Sequence, residues 1–126
     1  MKPIRVYIVD DNEQFLKLIA NLLSNTGNIL VVGKSSSGLD AIAHVFDALP
    51  DLILMDISMP DMNGIETTRL IKAIDKSKSI VMLTMHDTPE YRDASAQAGA
   101  IGYVSKADCV TNLVQIIERY AQSREQ

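Results

Sequence analysis

The chain has 126 residues, 47% apolar and 22% charged, with a net charge of −4, the profile of one domain able to bury about two-thirds of its unfolded surface. An acidic balance argues against non-specific nucleic-acid binding, which needs a basic stripe, and a single cysteine, Cys109, excludes an internal disulfide and a cysteine-based zinc site. No apolar run approaches a membrane span, and the start "MKPIRVYIVDD" lacks a signal-peptide layout, so the expected location is the cytoplasm, without membrane attachment.

In chain order, the apolar run Ile4–Val9 predicts a first strand, stopped by Asp10 and Asp11. Phe15, Leu18, Ile19, Leu22 and Leu23 form a helical stripe, with Gly27 as its stop signal. A second strand over 29–32 leads to Lys34 and Ser35, and Leu39, Ile42, Ala43, Phe46 and Leu49 predict the second helix. The third strand, 52–55, ends in Asp56. Asn63 with Glu66 then reads as a capping box opening a third helix along Ile65, Leu70 and Ile74. A fourth strand over 80–83 ends in Thr84. Asp87 with Glu90 reads as another capping box, and Pro89 suits a first-turn position. The fourth helix, "PEYRDASAQA", offers mainly alanines and Tyr91 as its apolar stripe before Gly99 stops it. A fifth strand over 102–104 runs into Lys106, and Val110, Leu113, Val114, Ile117 and Tyr120 predict the fifth helix. The domain is expected to cover residues 1–122, with 123–126 beginning a polar tail or linker.

The strand runs are continuous rather than alternating, the mark of strands buried on both faces. Five strand–helix alternations joined by right-handed crossovers predict an α/β, single-domain, flavodoxin-like (βα)5 doubly wound parallel sheet of order 2-1-3-4-5. Ligands of such sheets bind beyond the carboxyl ends of the strands. Asp10, Asp11, Asp56, Thr84 and Lys106 should therefore converge on one mouth. Two carboxylates about 4 Å apart repel by roughly 4 kcal/mol at an effective dielectric near 20, so three of them either stay partly protonated or hold a cation. Few, hard oxygen ligands suit Mg²⁺, or Mn²⁺ in its place. A cation, an ammonium and a hydroxyl around a central carboxylate describe a phosphoryl-transfer site with Asp56 as nucleophile. Taken singly, each residue has a plainer explanation: helix cap for an aspartate, turn hydroxyl for Thr84, surface cation for Lys106.

The stretches "VDDNEQ", "LILMDISMPDMNGIE", "VMLTMHD" and "GYVSKAD" together resemble a bacterial two-component response-regulator receiver domain, across essentially the whole chain. "LTMHD" with "GYVSKAD" is most similar to the NarL/FixJ-type subfamily, whose members usually carry a C-terminal helix-turn-helix output domain. The resemblance implies that Asp56 is the phosphoacceptor for a sensor histidine kinase. It also implies that Asp11, Asp56 and the main-chain carbonyl of Ser58 ligate Mg²⁺, with Asp10 ordering the metal through water. By the same resemblance Lys106 is expected to pair with Asp56 or its phosphate. On phosphorylation Thr84 is expected to move toward the phosphoryl group and Tyr103 to swing inward, rearranging the surface of the fourth helix, fifth strand and fifth helix. Phosphorylation-dependent homodimerisation through that region is a further expectation, and DNA binding is expected only through an output domain outside this chain.

Ser58 and His86, two residues after Asp56 and Thr84, are candidates for tuning dephosphorylation. Ala107 stands where many receivers have proline, so a cis bond there is not assumed. The chain is not expected to be an enzyme beyond phosphorylating and dephosphorylating itself. A haloacid-dehalogenase-like phosphatase would carry an aspartate where Ser58 stands, and a flavin binder would need glycine and hydroxyl donors where "DDNEQ" stands. A stand-alone receiver acting as a docking module is the remaining alternative.

Overall fold

The computed structural model describes residues 2–125. Strands β1 (Ile4–Val9), β2 (Ile29–Ser35), β3 (Leu52–Asp56), β4 (Ile80–Thr84) and β5 (Gly102–Ser105) alternate with helices α1 (Glu13–Leu23), α2 (Gly38–Ala48), α3 (Gly64–Ile74), α4 (Pro89–Ala98), α5 (Lys106–Thr111) and α6 (Leu113–Glu125). The strands are all parallel, in the order β2-β1-β3-β4-β5. Alternate side chains on each strand leave by opposite faces, and two cores result. Val6, Ile8, Leu52, Leu54, Val81 and Leu83 pack beneath α1, α5 and α6. Tyr7, Val9, Ile53, Met55, Ile80 and Met82 pack beneath α2, α3 and α4. Each fully buried large side chain of this kind contributes about 1.5–3 kcal/mol, which is why β3 and β4, buried at every position, are apolar over 52–55 and 80–83.

Helix faces depart from the sequence pattern. On α1 the buried residues are Leu16, Ile19 and Leu23, while Leu18 and Leu22 face solvent. On α2 Ala41 and Val45 are buried, whereas Leu39 and Leu49 are exposed. On α3 Ile65 and Ile71 are buried while Leu70 and Ile74 are exposed. On α4 Tyr91 is exposed, and Ser95 and Ala98 are the buried pair. Leucine-rich stripes fit more than one rotation of a helix, and the sheet selects the face that lies flat on it.

Helix ends also differ in part. Asn63 does accept from the Glu66 amide (2.9 Å) and opens α3. The cap of α4 is Thr88, whose hydroxyl accepts from Tyr91 N (3.1 Å), not Asp87. Pro89 then takes the first helical position, as expected. Helix α1 ends at Ser24 rather than Gly27, whereas Gly99 closes α4 with the left-handed φ of 107° that favours glycine. Leu49 closes α2 in the same region (φ 52°) without being glycine. The Arg5 guanidinium, donating to the carbonyls of Ala48 (2.8 Å) and Leu49 (3.0 Å), stabilises that end. The expected fifth helix is two helices, broken at Asn112 (φ −124°, ψ 33°). Helix α6 continues through Glu125, and residue 126 of the expected tail lies outside the described residues.

Candidate functional site

The mouth forms where β1, β3 and β4 end side by side. Val9 pairs with Met55, and Asp56 with Leu83. The Asp10 amide extends the sheet by donating to the Ser35 carbonyl (3.0 Å). Each following helix has its own cap: Asn12 for α1, Asn63 for α3, Thr88 for α4 and Ser105 for α5. The strand-end acids are therefore not needed as helix caps, and the plainer explanation of them fails.

Asp10 and Asp56 are buried, Asp11 is exposed, and carboxylate oxygens from all three lie within 4.8 Å of one another. Lys106, at the start of α5, extends its ammonium into this group. Its Nζ is 2.7 Å from Asp10 Oδ2 and 3.5 Å from Asp56 Oδ1. The nearer partner is thus Asp10, a contact not anticipated from the sequence. Asp10 Oδ1 accepts from the Asn12 amide (2.8 Å), so both oxygens of this buried acid are compensated. The Lys106 ammonium also lies 4.7 Å from the centre of the Phe15 ring, within cation–π range. Phe15 was legible only as part of an apolar stripe; its position three residues past the Asn12 cap was the available signal.

Asp56 carries the mouth's electrostatic burden. Burial, and next the negative charge of Asp10, push its carboxyl up to about 7. Lys106 and the Ser58 amide, which donates to Asp56 Oδ1 at 3.3 Å, pull the other way, and Asp11 adds a smaller upward push. Three clustered carboxylates with one ammonium leave negative charge in excess. That donor set fits a hard divalent cation, with Asp10, Asp11 and Asp56 as the residues able to hold it.

Gly64 explains the glycine of the "MPDMNG" loop. Its amide donates to the Ile57 carbonyl (2.7 Å), and a Cβ there would lie 2.0 Å from the Asp56 carbonyl oxygen. Only glycine lets α3 start this close to the strand bearing Asp56. Asp61 in the same loop accepts from the Gly38 (3.3 Å) and Leu39 (3.1 Å) amides, which hold its carboxyl below the usual range and tie the loop to α2.

The remaining candidates lie along β4 and β5. Thr84 is buried, but its hydroxyl turns into its own loop, donating to the His86 carbonyl (2.9 Å) and accepting from the His86 amide (3.0 Å). His86 thus engages Thr84 through its backbone, and the residue itself is exposed. Tyr103 is half-buried, and its buried hydroxyl finds no partner among the described residues. An open cleft of about 660 Å³ borders it, lined also by Arg92, Arg119 and Tyr120. Cys109 is buried in the core, its thiol pushed up to about 12 by burial, consistent with a small hydrophobe.

Residues 6–118 match the response regulator receiver domain family. The chain belongs to that family. Among its relatives, the receiver is 37% identical to the response regulator protein VraR of Staphylococcus saprophyticus, over 93% of this chain and 56% of the relative. It is 38% identical to the response regulator UvrY of Escherichia coli, over 90% of this chain and 52% of the relative. The chain therefore spans about half the length of these curated relatives. Among solved structures, the signal receiver domain of the response regulator NarL from Mycobacterium tuberculosis superposes with a TM-score of 0.90 at 27% identity, covering 97% of this chain and 98% of the other. The flavodoxin-like order and the resemblance to NarL-type receivers are both borne out. This is a receiver domain of a two-component system.

Proposed function

We propose that this receiver takes a phosphoryl group on Asp56 from the phosphohistidine of a sensor histidine kinase. The observation that carries this is the buried Asp56 carboxylate, grouped within 4.8 Å with those of Asp10 and Asp11 and 3.5 Å from the Lys106 ammonium. An Asp56 oxygen attacks phosphorus in line with the departing imidazole nitrogen, forming the acyl phosphate as the P–N bond breaks. Asp10, Asp11, Asp56 and the Ser58 main-chain carbonyl would hold Mg²⁺ (or Mn²⁺). When bound, that ion supplies positive charge opposite the carboxylates and the phosphoryl oxygens.

Lys106, already between Asp10 and Asp56, is placed to meet one phosphoryl oxygen. To donate to another, the Thr84 hydroxyl must give up its bond to the His86 carbonyl, which gives the switch a defined first movement. Tyr103 then turns inward, and the face formed by α4, β5 and the last helices changes shape. Phosphorylation supplies the drive, adding about −1.5 to −2 charge and three strong acceptors. Ser58, beside Asp56, and the exposed His86 border the approach of water and tune dephosphorylation. The only turnover expected is the receiver's own phosphorylation and dephosphorylation.

Since the chain spans half of its relatives, we place a helix-turn-helix output domain, and with it DNA binding and transcriptional control, outside residues 1–122. Homodimerisation through the switching face follows phosphorylation. No described helix is long and apolar enough to cross a membrane, in keeping with work in the cytoplasm beside the kinase. Incubation with acetyl phosphate and Mg²⁺ should add the mass of one phosphoryl group to the intact chain. Asp56→Ala should abolish that gain and Asp61→Ala should keep it, because Asp61 is engaged with α2. A gain that survives Asp56→Ala would place the acceptor elsewhere.

A further inference from the structure

The phosphoacceptor reading has no use for Arg92, yet this residue joins the two side chains that the reading requires to move. Thr84 Oγ1 is held by the backbone of His86 at 3.0 and 2.9 Å. The next residue, Asp87, accepts from Arg92 Nη2 at 2.9 Å. The guanidinium carbon of Arg92 lies 4.7 Å from the centre of the Tyr103 ring. The Tyr103 hydroxyl is buried and unpartnered among the described residues, so none of them fixes the ring by a hydrogen bond to it. A continuous path thus runs from Thr84 through Asp87 and Arg92 to Tyr103.

We propose that Arg92 is a positioning residue that latches the unphosphorylated conformation. The proposal rests on the reading of Asp56, Thr84 and Tyr103 given above. In the latched state the guanidinium spans two elements, pairing with the β4–α4 loop by charge and covering the β5 ring by its planar face. Withdrawal of Thr84 toward Asp56 breaks the turn that sets Asp87, and the ion pair loses its geometry. Arg92 then releases the ring, and Tyr103 is free to follow. An exposed ion pair and a cation–π contact on a half-buried ring are each weak, which suits a latch that must open in every cycle. Their joint loss should shift the resting equilibrium by about three- to tenfold.

The test uses the full chain and three variants, Arg92→Ala, Arg92→Lys and Asp87→Asn. Amide hydrogen exchange over residues 84–88 and 102–105 is measured in the unphosphorylated protein, and the rate of mass gain is measured with acetyl phosphate and Mg²⁺. Arg92→Ala should raise both about three- to tenfold. Arg92→Lys keeps the charge on Asp87 but loses the planar cover on Tyr103, and Asp87→Asn does the reverse. Each should give a smaller rise than Arg92→Ala. Unchanged exchange and rate in Arg92→Ala, with thermal unfolding like the parent's, overturn the latch. Asp87→Asn leaves α4 itself unaltered, so it decides the question if Arg92→Ala folds poorly. A parent chain that gains no phosphoryl group would sink the phosphoacceptor reading instead, and the exchange data would still decide the latch.

Discussion

Helices α3 and α4 follow adjacent strands and cover the same face of the sheet, yet they are held very differently. Helix α3 buries Ile65, Thr67, Thr68 and Ile71, and its buried hydroxyls are satisfied: Thr67 donates to the Asn63 carbonyl (3.0 Å) and Thr68 to Met82 Sδ (3.2 Å). Helix α4 buries only Ser95 and Ala98, and among the described residues the Ser95 hydroxyl is buried without a partner, as is that of Tyr103 on β5. One side of the mouth is anchored by area and by satisfied polar groups. The other is held by small side chains and an exposed ion pair, so alternative packings there cost little. The proposed switch calls for both, since it keeps Asp56 in place while the face beyond Thr84 moves.

The sharpest way to break this contrast is to remove an anchor. Ile71→Ala on α3 should cost about 2–5 kcal/mol in urea unfolding, the range for emptying a buried aliphatic site, whereas no single truncation on α4 should reach that range. Next in size is Asp56→Asn. The Asp56 carboxyl rises from 3.8 to about 7 on folding, so below about pH 3 both states are protonated and the group has little effect on stability. Between about 4 and 7 the unfolded chain releases its proton first, and wild-type stability falls as pH rises. In EDTA, Asp56→Asn should therefore match the parent at about pH 3 and exceed it by on the order of 3 kcal/mol at pH 8. A gap independent of pH would contradict the electrostatic account.

Gly64→Ala should cost about 1–3 kcal/mol, because the new Cβ must displace the backbone beside Asp56. It should also slow phosphorylation by acetyl phosphate. The smallest change has the opposite sign. Ser95→Ala removes a buried hydroxyl that has no partner and should leave stability unchanged or raise it by up to about 1 kcal/mol in thermal unfolding. Thr68→Ala, the matching change on α3, should lower it. Equal effects at the two positions would erase the distinction between the helices.

How much of this was legible in the sequence varies with the range of the interaction that decides it. The central strands read correctly because strands buried on both faces are apolar at successive positions, as over 52–55 and 80–83. Helix rotation did not read correctly. Leu18 and Leu22 are as apolar as Leu16 and Leu23, and only contact with the sheet separates them. The cap of α4 was misplaced by one residue because Asp87 and Thr88 both have capping chemistry. The structure uses Thr88 for the helix and leaves Asp87 to Arg92.

Residue pattern alone was enough for the layer order, the strand ends and the grouping of Asp10, Asp11, Asp56 and Lys106. Their identities follow from local pattern, and strand order from handedness rules that leave few choices. Tertiary structure alone decided that Lys106 lies closer to Asp10 than to Asp56, and that Thr84 turns to His86 rather than into the site. It also decided that Arg92 covers Tyr103. These are contacts between side chains brought together across strands or turned inside a loop. Direction and distance set them, and neither is a property of residue type or spacing.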